Sequence, residues 1–327
     1  MTFVKISTVA LVPSPQYDVL RMQMAKVELI ESENRRKGVR DAVAALGPAF
    51  IDKAKAAKKI LIKVNLVHHE HQLASTHIDA VRGLLDELRL HSRADVFVGD
   101  ASYHGTKAAF RNFGYECLPD EYEHTRLVDL NDDEGVPGYT IRADGSHNDI
   151  KRSKLAVDAD LRISLTPMKT HRDVGVSMAV KNWTVGTWVV PPRNSAHGRV
   201  WARWPWLHEE GVKAHHQSIA ALYAQEPCHV AVVDGVMAME GDGPTRGTPV
   251  PMHVVLAGMD AVAVDAIGAT LMGFDPSDIG YLVQCAEAGL GVVDMAKIDV
   301  PPLQIEQLRR TFLRPPELAE KLTAWRE

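Results

Sequence analysis

The sequence contains few cysteines and none of the short motifs that identify the common enzyme classes. Its three cysteines, Cys117, Cys228 and Cys285, are too scattered to match any iron–sulfur ligand spacing, so no iron–sulfur cluster is expected. The chain has no G-x-G-x-x-G dinucleotide loop, no G-x-x-x-x-G-K-[ST] phosphate loop, no H-E-x-x-H metal motif and no G-x-S-x-G nucleophile elbow. These absences exclude the enzyme classes that those motifs identify.

The sequence also lacks long runs of like charge and long apolar runs. Its net charge is −5 and no run of lysine or arginine could follow a phosphate backbone, which excludes nucleic acid as a partner. The apolar run from Ile6 to Val12 has no cleavage site after it and predicts a first strand, not a signal peptide or membrane anchor. Three unpaired cysteines are typical of a reducing compartment, so we expect a soluble, cytoplasmic protein.

Strand-like and helix-like patterns alternate along the 327 residues, which predicts one α/β domain over 1–327. The expected sheet is mostly parallel and doubly wound, with helices on both faces. The segment 131–150 predicts a small hairpin. The predicted strands lie near 3–12, 60–66, 94–99, 125–130, 161–166, 229–234 and 252–257. The predicted helices are 17–31, 34–46, 76–90, 105–113, 215–225, 261–272 and 277–289.

One irregular segment interrupts this alternation. Five of the six tryptophans lie between Trp183 and Trp206, together with Pro191, Pro192 and His197. We interpret 183–214 either as a lid that closes aromatic surface and His197 over a substrate, or as an interface in a homo-oligomer, since tryptophan is favoured at interfaces. The two interpretations do not exclude each other.

A group of cations follows the strand pattern that ends at Pro167. Lys169, His171, Lys181 and Asn182 lie within fourteen residues. In an open α/β sheet, ligands bind where strands end, so this group favours a site for an anion. The alternative is that both lysines are solvated or paired with acids, and that His171 caps a helix.

A second group of polar residues follows the buried strand that ends at Asp234. Glycine and proline around Glu240 and Asp242 force a tight loop that holds the two carboxylates together. Because like charges repel, these acids need a metal, a lysine or a shared proton. The three acids are therefore predicted metal ligands, and the alternative is a turn whose acids face water.

Asp265 is an acid within an almost wholly apolar helix. A buried acid needs a partner, so we expect this carboxylate to be ion-paired or hydrogen-bonded, most naturally to one of the lysines.

The chain resembles the DUF362 family, a domain of unknown function, over roughly residues 55–295. The resemblance implies a fold and a site more than a reaction. Many relatives carry a ferredoxin-like segment with clustered cysteines, which implies electron transfer, and this chain resembles members without it. Val64 stands where the family pattern has proline. The matching pieces are Lys63-Val-Asn65, Thr76-His77, Val98-Gly99-Asp100-Ala-Ser102, Pro167-Met-Lys169-Thr170-His171, Lys181-Asn182, Val233-Asp234-Gly235, Glu240-Gly-Asp242-Gly-Pro244-Thr245 and the stretch from Asp260 to Asp265.

Two classes of function are compatible with the sequence. In the first, the protein is an enzyme for a small carboxylate or phosphate, using metal-assisted or acid–base chemistry, with redox chemistry implied by the resemblance. In the second, it is a non-catalytic ligand- or protein-binding module that uses the tryptophan-rich segment. The mixture of cations and carboxylates favours the enzyme.

For the enzyme, Lys169 and Lys181 bind or polarise the anion, His171 transfers the proton, and Glu240 holds the metal or acts as base. The expected metal is a divalent ion, iron or magnesium. The residues predicted to bind substrate are Lys63, Asn65, His77, Asp100, Asn182, His197 and Thr245.

Overall fold

The structure of the chain is a computed structural model that describes residues 24–190, 203 and 205–327. The predicted strand at 3–12 and the predicted substrate-binding residue His197 lie outside the described residues. The strands are β1 (Ala25–Glu31), β2 (Lys59–Lys63), β3 (Asp95–Asp100), β4 (Thr125–Asp129), β5 (Gly135–Ile141), β6 (His147–Ser153), β7 (Leu161–His171), β8 (Gly175–Ser177), β9 (Trp188–Val189), β10 (Val230–Glu240), β11 (Thr248–Val250), β12 (Val254–Gly258) and β13 (Ile298–Asp299). The α-helices are α1 (Arg35–Ala45), α2 (Pro48–Ala56), α3 (Ile78–His91), α4 (Thr106–Asn112), α5 (Leu118–Glu121), α6 (Lys154–Asp158), α7 (Ala179–Val185), α8 (Gly211–Gln225), α9 (Ala261–Leu271), α10 (Gly280–Glu287), α11 (Pro302–Leu308) and α12 (Leu318–Lys321).

A ten-stranded sheet is the centre of the fold, and its strand order is β13-β1-β12-β10-β7-β2-β3-β4. Strands β10, β7, β2, β3 and β4 pair in parallel, and β12 is antiparallel to both of its neighbours. Two short strands extend this sheet, since β8 pairs with β7 and β11 pairs with β10. The predicted α/β class with a mostly parallel sheet is therefore confirmed.

Alternating side chains of the strands divide the apolar core between the two faces of the sheet. Leu61 packs on one face with residues of α7, α8, α9 and α10. Ile60 and Ile62, its neighbours in β2, pack on the other face with α1, α2 and α3. This division follows from the two-residue period of a strand, and it places helices on both faces as predicted.

The predicted hairpin at 131–150 forms as β5 and β6, which pair with β9 in a separate three-stranded sheet. The predicted helix at 17–31 is wrong over its described part, because Ala25–Glu31 is the strand β1. In AKVELIE, Val27 and Leu29 are buried at the two-residue spacing of a strand. Pairing of β1 with β12 and β13, which the local sequence does not reveal, stabilises this conformation.

Candidate functional site

The ends of three parallel strands bring the first predicted site residues together. In the sheet register, Lys63 at the end of β2 lies opposite Gly99 and Ser164 of the two neighbouring strands. This register places Lys63 beside Asp100, the last residue of β3, and the longer β7 continues past both to Lys169 and His171. Strand ends at one edge of a parallel sheet are the usual place for a ligand.

Helix α7 adds Lys181 and Asn182 to the same edge of the sheet. The helix begins at Ala179, and the Asp265 carboxylate accepts hydrogen bonds from the backbone N–H groups of Ala179 at 2.8 Å and Val180 at 2.9 Å. The prediction that Asp265 is buried and hydrogen-bonded is confirmed, but the expected lysine partner is wrong. Helix starts have unpaired backbone N–H groups, and the carboxylate satisfies two of them.

A continuous chain of hydrogen bonds connects five polar side chains beneath the site. The Lys169 ammonium donates to Asn65 Oδ1 at 2.7 Å, and Asn65 Nδ2 donates to Asn182 Oδ1 at 3.2 Å. Lys63 donates to the same Asn182 oxygen at 2.7 Å and lies 2.7 Å from Asp100 Oδ1. Each of these residues therefore positions the next one.

Lys63 has no donor left for a substrate. Its ammonium contacts the Val64 carbonyl at 2.6 Å in addition to Asn182 and Asp100, so all three of its N–H groups are used. The side chain is fully buried, and burial lowers the pKa of Lys63, against the opposing effect of Asp100. The predicted substrate-binding role of Lys63 is corrected to support of the chain beneath the site.

Lys169 differs from Lys63 because it uses two donors. It donates to Asn65 Oδ1 and to the Ala74 carbonyl at 2.6 Å. Burial, and then the nearby charge of Lys181, holds the pKa of Lys169 well below its usual value of 10.5. A neutral amine has two N–H groups and one lone pair, so the two hydrogen bonds fit neutral Lys169 with its lone pair available.

Lys181 forms no hydrogen bond or ion pair with another of the residues that the structure describes. The residue is 9% exposed. Burial lowers the pKa of Lys181 to about 8, against the opposing effect of Asp173. Because Lys181 lines the cavity described next, a ligand that brings negative charge could pair with its ammonium.

A cavity of about 190 Å³ lies over these groups. Residues from the strand ends, from α7 and from the segment that precedes α8 form its walls. Among the predicted site residues, Asn65, Asp100, Lys169, His171, Lys181, Asn182 and Thr245 line the cavity. Its other polar lining residues are Ser102, Tyr103, His104, Arg172, Asp173, Ser177, Arg203 and His208.

The loop after β10 closes one side of the cavity through Pro244 and Thr245. It is tied to β7 because Thr170 Oγ1 donates to the Gly241 carbonyl at 2.9 Å and Arg172 N donates to the Gly243 carbonyl. A Cβ atom at Gly243 would lie 2.1 Å from the Thr170 carbonyl oxygen, so only glycine allows this close approach.

The acids predicted as metal ligands do not form one ligand set. Asp234 is buried and pairs with Arg35 at 2.5 Å, while Glu240 accepts a hydrogen bond from Leu313 N at 2.8 Å. Asp242 lies 3.4 Å from Arg172. None of the three lines the cavity, so the predicted metal and base role of Glu240 is also corrected.

His77 is likewise outside the cavity, which corrects its predicted substrate-binding role. It precedes α3, where its Nδ1 accepts a hydrogen bond from Asp79 N at 3.1 Å. Capping of this helix is the role that the geometry gives to His77.

Within the described part of the chain, one set of three side chains has the geometry to hold a metal ion. One ligand atom each from Asp173, His208 and His215 lie within 4.8 Å of one another. Asp173 Oδ2 is 3.0 Å from His208 Nδ1, and its Oδ1 is 2.5 Å from the Lys321 ammonium. Burial by itself raises the pKa of Asp173, but hydrogen bonds from His208 and Lys321 lower it overall.

The tryptophan-rich segment contributes packing and part of the cavity wall. Trp183 and Trp188 are buried, and the Trp188 ring stacks on Trp206 with a centroid distance of 5.9 Å. The buried Arg203 donates to the carbonyls of Ala101 and Trp188 and lines the cavity. The remaining tryptophans of the segment, Trp201 and Trp204, lie outside the described residues. The lid and interface interpretations stay predictions.

Sequence reasoning missed Asp173, Arg203, His208, His215 and Lys321 as members or neighbours of the site. Asp173 lies two residues after His171, within the polar segment that follows Pro167, so the sequence offered a signal for this residue. His215 lies buried within α8. The other three carry no local pattern that distinguishes them from surface residues.

The mostly parallel sheet and the cationic cavity at its strand ends define an α/β protein with a candidate anion site. The chain belongs to the DUF362 family, described as a domain of unknown function, whose model matches residues 60–270. It is similar to a thylakoid-associated protein of Synechocystis sp., with 26% identity over 243 residues that cover 72% of this chain and 70% of that protein.

The lactate racemase apoprotein from Thermoanaerobacterium thermosaccharolyticum superposes with a TM-score of 0.47 and 17% identity, over 81% of this chain and 57% of that chain. Of the helices that the structure describes, none combines the length and the apolar character needed to cross a membrane.

Proposed function

We propose that the protein is an enzyme that acts on a small carboxylate or phosphate by acid–base chemistry in this cavity. The observation that carries the proposal is Lys181, a nearly buried lysine that lines the cavity and forms no hydrogen bond or ion pair with another described residue. An anionic ligand would supply the missing acceptor and the compensating charge.

The size of the cavity supports a small substrate. Sites for drug-sized ligands usually enclose roughly 300–1,000 Å³, whereas this cavity encloses about 190 Å³. The ligand that fits is a short organic acid or a small phosphate.

Lys169 is the proposed base. Its environment favours the neutral amine, because burial and the neighbouring Lys181 both oppose a second positive charge. Its hydrogen bonds to Asn65 and Ala74 occupy the two N–H groups and leave the lone pair to accept a proton. Two lysines with different environments thus take different tasks, one as the charged anchor and one as the base.

The hydrogen-bond chain supports this division of tasks by fixing both amides that contact the lysines. Asn182 Nδ2 donates to the Lys63 carbonyl at 3.0 Å and to Ser164 Oγ at 2.9 Å, so the orientation of its amide is determined. Asn65 is then oriented to accept from Lys169. A cytoplasmic setting is part of the proposal, and the three free cysteines support it.

The anion-binding part is tested by calorimetry with a panel of short carboxylates and inorganic phosphate. Lys181→Met keeps the length of the side chain and removes its charge. We expect the anion that binds the parent to lose about 10- to 100-fold in affinity, as for a buried charge-assisted contact. Lys55→Met is the matched control, because Lys55 is an exposed lysine on α2. Equal binding by the parent and Lys181→Met would refute the anchor.

The acid–base part is tested by proton NMR, which follows deuterium incorporation from D₂O into the bound anion. Lys169→Met should abolish incorporation, while Lys181→Met should weaken it through binding. Anion binding without any exchange or turnover would favour the alternative of a non-catalytic binding module.

A further inference from the structure

We propose that Asp173, His208 and His215 bind a divalent first-row transition-metal ion at the wall of the cavity. The three ligand atoms lie within 4.8 Å of one another, and the rings of the two histidines have centroids 4.7 Å apart. Asp173 and His208 line the cavity, so an ion held here would be accessible from it. Metal binding stands apart from the proposed function, since it does not require the anion.

The second observation is a buried nitrogen without a partner. His215 is 1% exposed, and its Nε2 atom has no hydrogen-bond partner among the residues that the structure describes. Unsatisfied buried polar atoms cost about 1–3 kcal/mol each and are rare in native proteins, so they call for a specific explanation. A metal ion would give the imidazole of His215 the partner that it lacks.

The short contact between Asp173 and His208 is compatible with both residues binding one ion. Two ligand atoms about 2.1 Å from a tetrahedral ion lie roughly 3.4 Å apart, and Asp173 Oδ2 and His208 Nδ1 are 3.0 Å apart. The ion would replace this hydrogen bond. Lys321 contacts the other oxygen, Oδ1, and so leaves Oδ2 for the metal while it orients the carboxylate.

The donor set selects the kind of metal. Two imidazoles and one carboxylate suit Zn²⁺, Fe²⁺, Co²⁺ or Ni²⁺, whereas Mg²⁺ prefers oxygen ligands alone. Three protein ligands also leave a coordination position open, as in catalytic metal sites.

The test uses the full chain, stripped with a chelator and titrated with Zn²⁺ against a chromophoric competitor. One equivalent should bind, and Co²⁺ in its place should give visible absorption bands typical of a nitrogen- and oxygen-ligated ion. Loss of contacts around a metal ligand already costs about 10- to 100-fold in affinity. His215→Gln, His208→Ala and Asp173→Asn should therefore each lower Zn²⁺ affinity by at least about 100-fold.

Two control variants separate this site from others. His91→Ala removes a histidine on α3 that also contacts one carboxylate, Glu87, at 2.9 Å. Asp242→Asn removes an acid of the loop that the sequence predicted to hold a metal. Both should bind Zn²⁺ like the parent. The proposal is overturned if no equivalent of Zn²⁺ binds, if Mg²⁺ competes equally, or if the three ligand variants, checked for folding by circular dichroism, bind like the parent.

Discussion

The Lys63 ammonium lies 2.7 Å from a carboxylate oxygen of Asp100, and both side chains are almost fully buried. Such a pair is costly to break, because removing one partner leaves the other charge without compensation. It is also the end of the hydrogen-bond chain that reaches Lys169. Stability and the geometry of the site therefore depend on the same contact.

Replacing Asp100 by alanine should lower the free energy of unfolding by about 3–5 kcal/mol, because Lys63 remains buried and unpaired. The double variant Lys63→Met with Asp100→Leu should lose much less than the sum of the single variants. Urea denaturation measures both. The exposed pair of Lys107 and Asp132 is the control, since Asp132→Ala should leave the free energy of unfolding almost unchanged. A loss for Asp100→Ala as small as that of the control would contradict the prediction.

Gly186→Ala should displace Lys63 from its partners. A Cβ atom at Gly186 would lie 2.1 Å from Lys63 Nζ and 2.7 Å from the Asn182 carbonyl oxygen. Because the lysine is buried and fully hydrogen-bonded, we expect a loss of about 2–4 kcal/mol. Combined with Lys63→Ala, the same substitution should cost about 1–3 kcal/mol less than the sum of the two. Additive losses in denaturation experiments would show that the clash is relieved elsewhere.

Asp265→Ala should destabilise the protein by about 2–5 kcal/mol, since the backbone N–H groups of Ala179 and Val180 would lose their acceptor in a buried place. The start of α7 should loosen, and hydrogen exchange at residues 179–182 should become faster than in the parent. Asp52→Ala, at an exposed position on α2, is the control. Unchanged exchange in Asp265→Ala would show that α7 forms without the carboxylate.

Asp265 should also make stability depend on pH in a specific direction. Burial raises the pKa of Asp265 to about 7 in the folded protein, although its two hydrogen bonds act in the opposite sense, and its ordinary value is 3.8. The folded state then holds the proton more tightly, so this contribution to stability is full below about pH 4 and is lost as the pH rises to 7. The difference between a pKa of 3.8 and one of about 7 corresponds to roughly 4 kcal/mol of folding free energy.

This pH dependence is measured as the difference in unfolding free energy between the parent and Asp265→Asn, because other titrating groups cancel in the difference. The difference should fall steadily between pH 4 and 7 and then level off. A difference that rises with pH would mean that the ionised carboxylate is the form favoured by folding.

Much of the fold followed from local pattern. The alternation predicted the positions of β2, β3, β7, β10 and β12, although β7 and β10 continue to His171 and Glu240, past their predicted ends at 166 and 234. Polar residues after Pro167 indicated the right edge of the sheet. Lys169 and Lys181 could be proposed because two cations beside a buried strand rarely serve a core.

The rest depends on contacts between distant segments. The carboxylate of Asp173 meets His208 and Lys321 only because the segment before α8 and the helix α12 return to it from distant parts of the sequence. Asp265 could be identified as a buried acid, but its partners are backbone N–H groups of a helix that the sequence pattern did not predict. Glu240 and Asp242 are close in sequence, yet their side chains have different partners.

The hydrogen-bond chain from Lys169 through Asn65, Asn182 and Lys63 to Asp100 also has an evolutionary consequence. Each member satisfies its neighbour, so a single substitution leaves a buried polar group unpaired and relatives should keep or exchange these residues as a set. Thr245 lines the same cavity from the loop after β10 and is not a member of this hydrogen-bond chain. Divergence of substrate preference within the family should therefore arise through that loop, while the lysines beneath it stay the same.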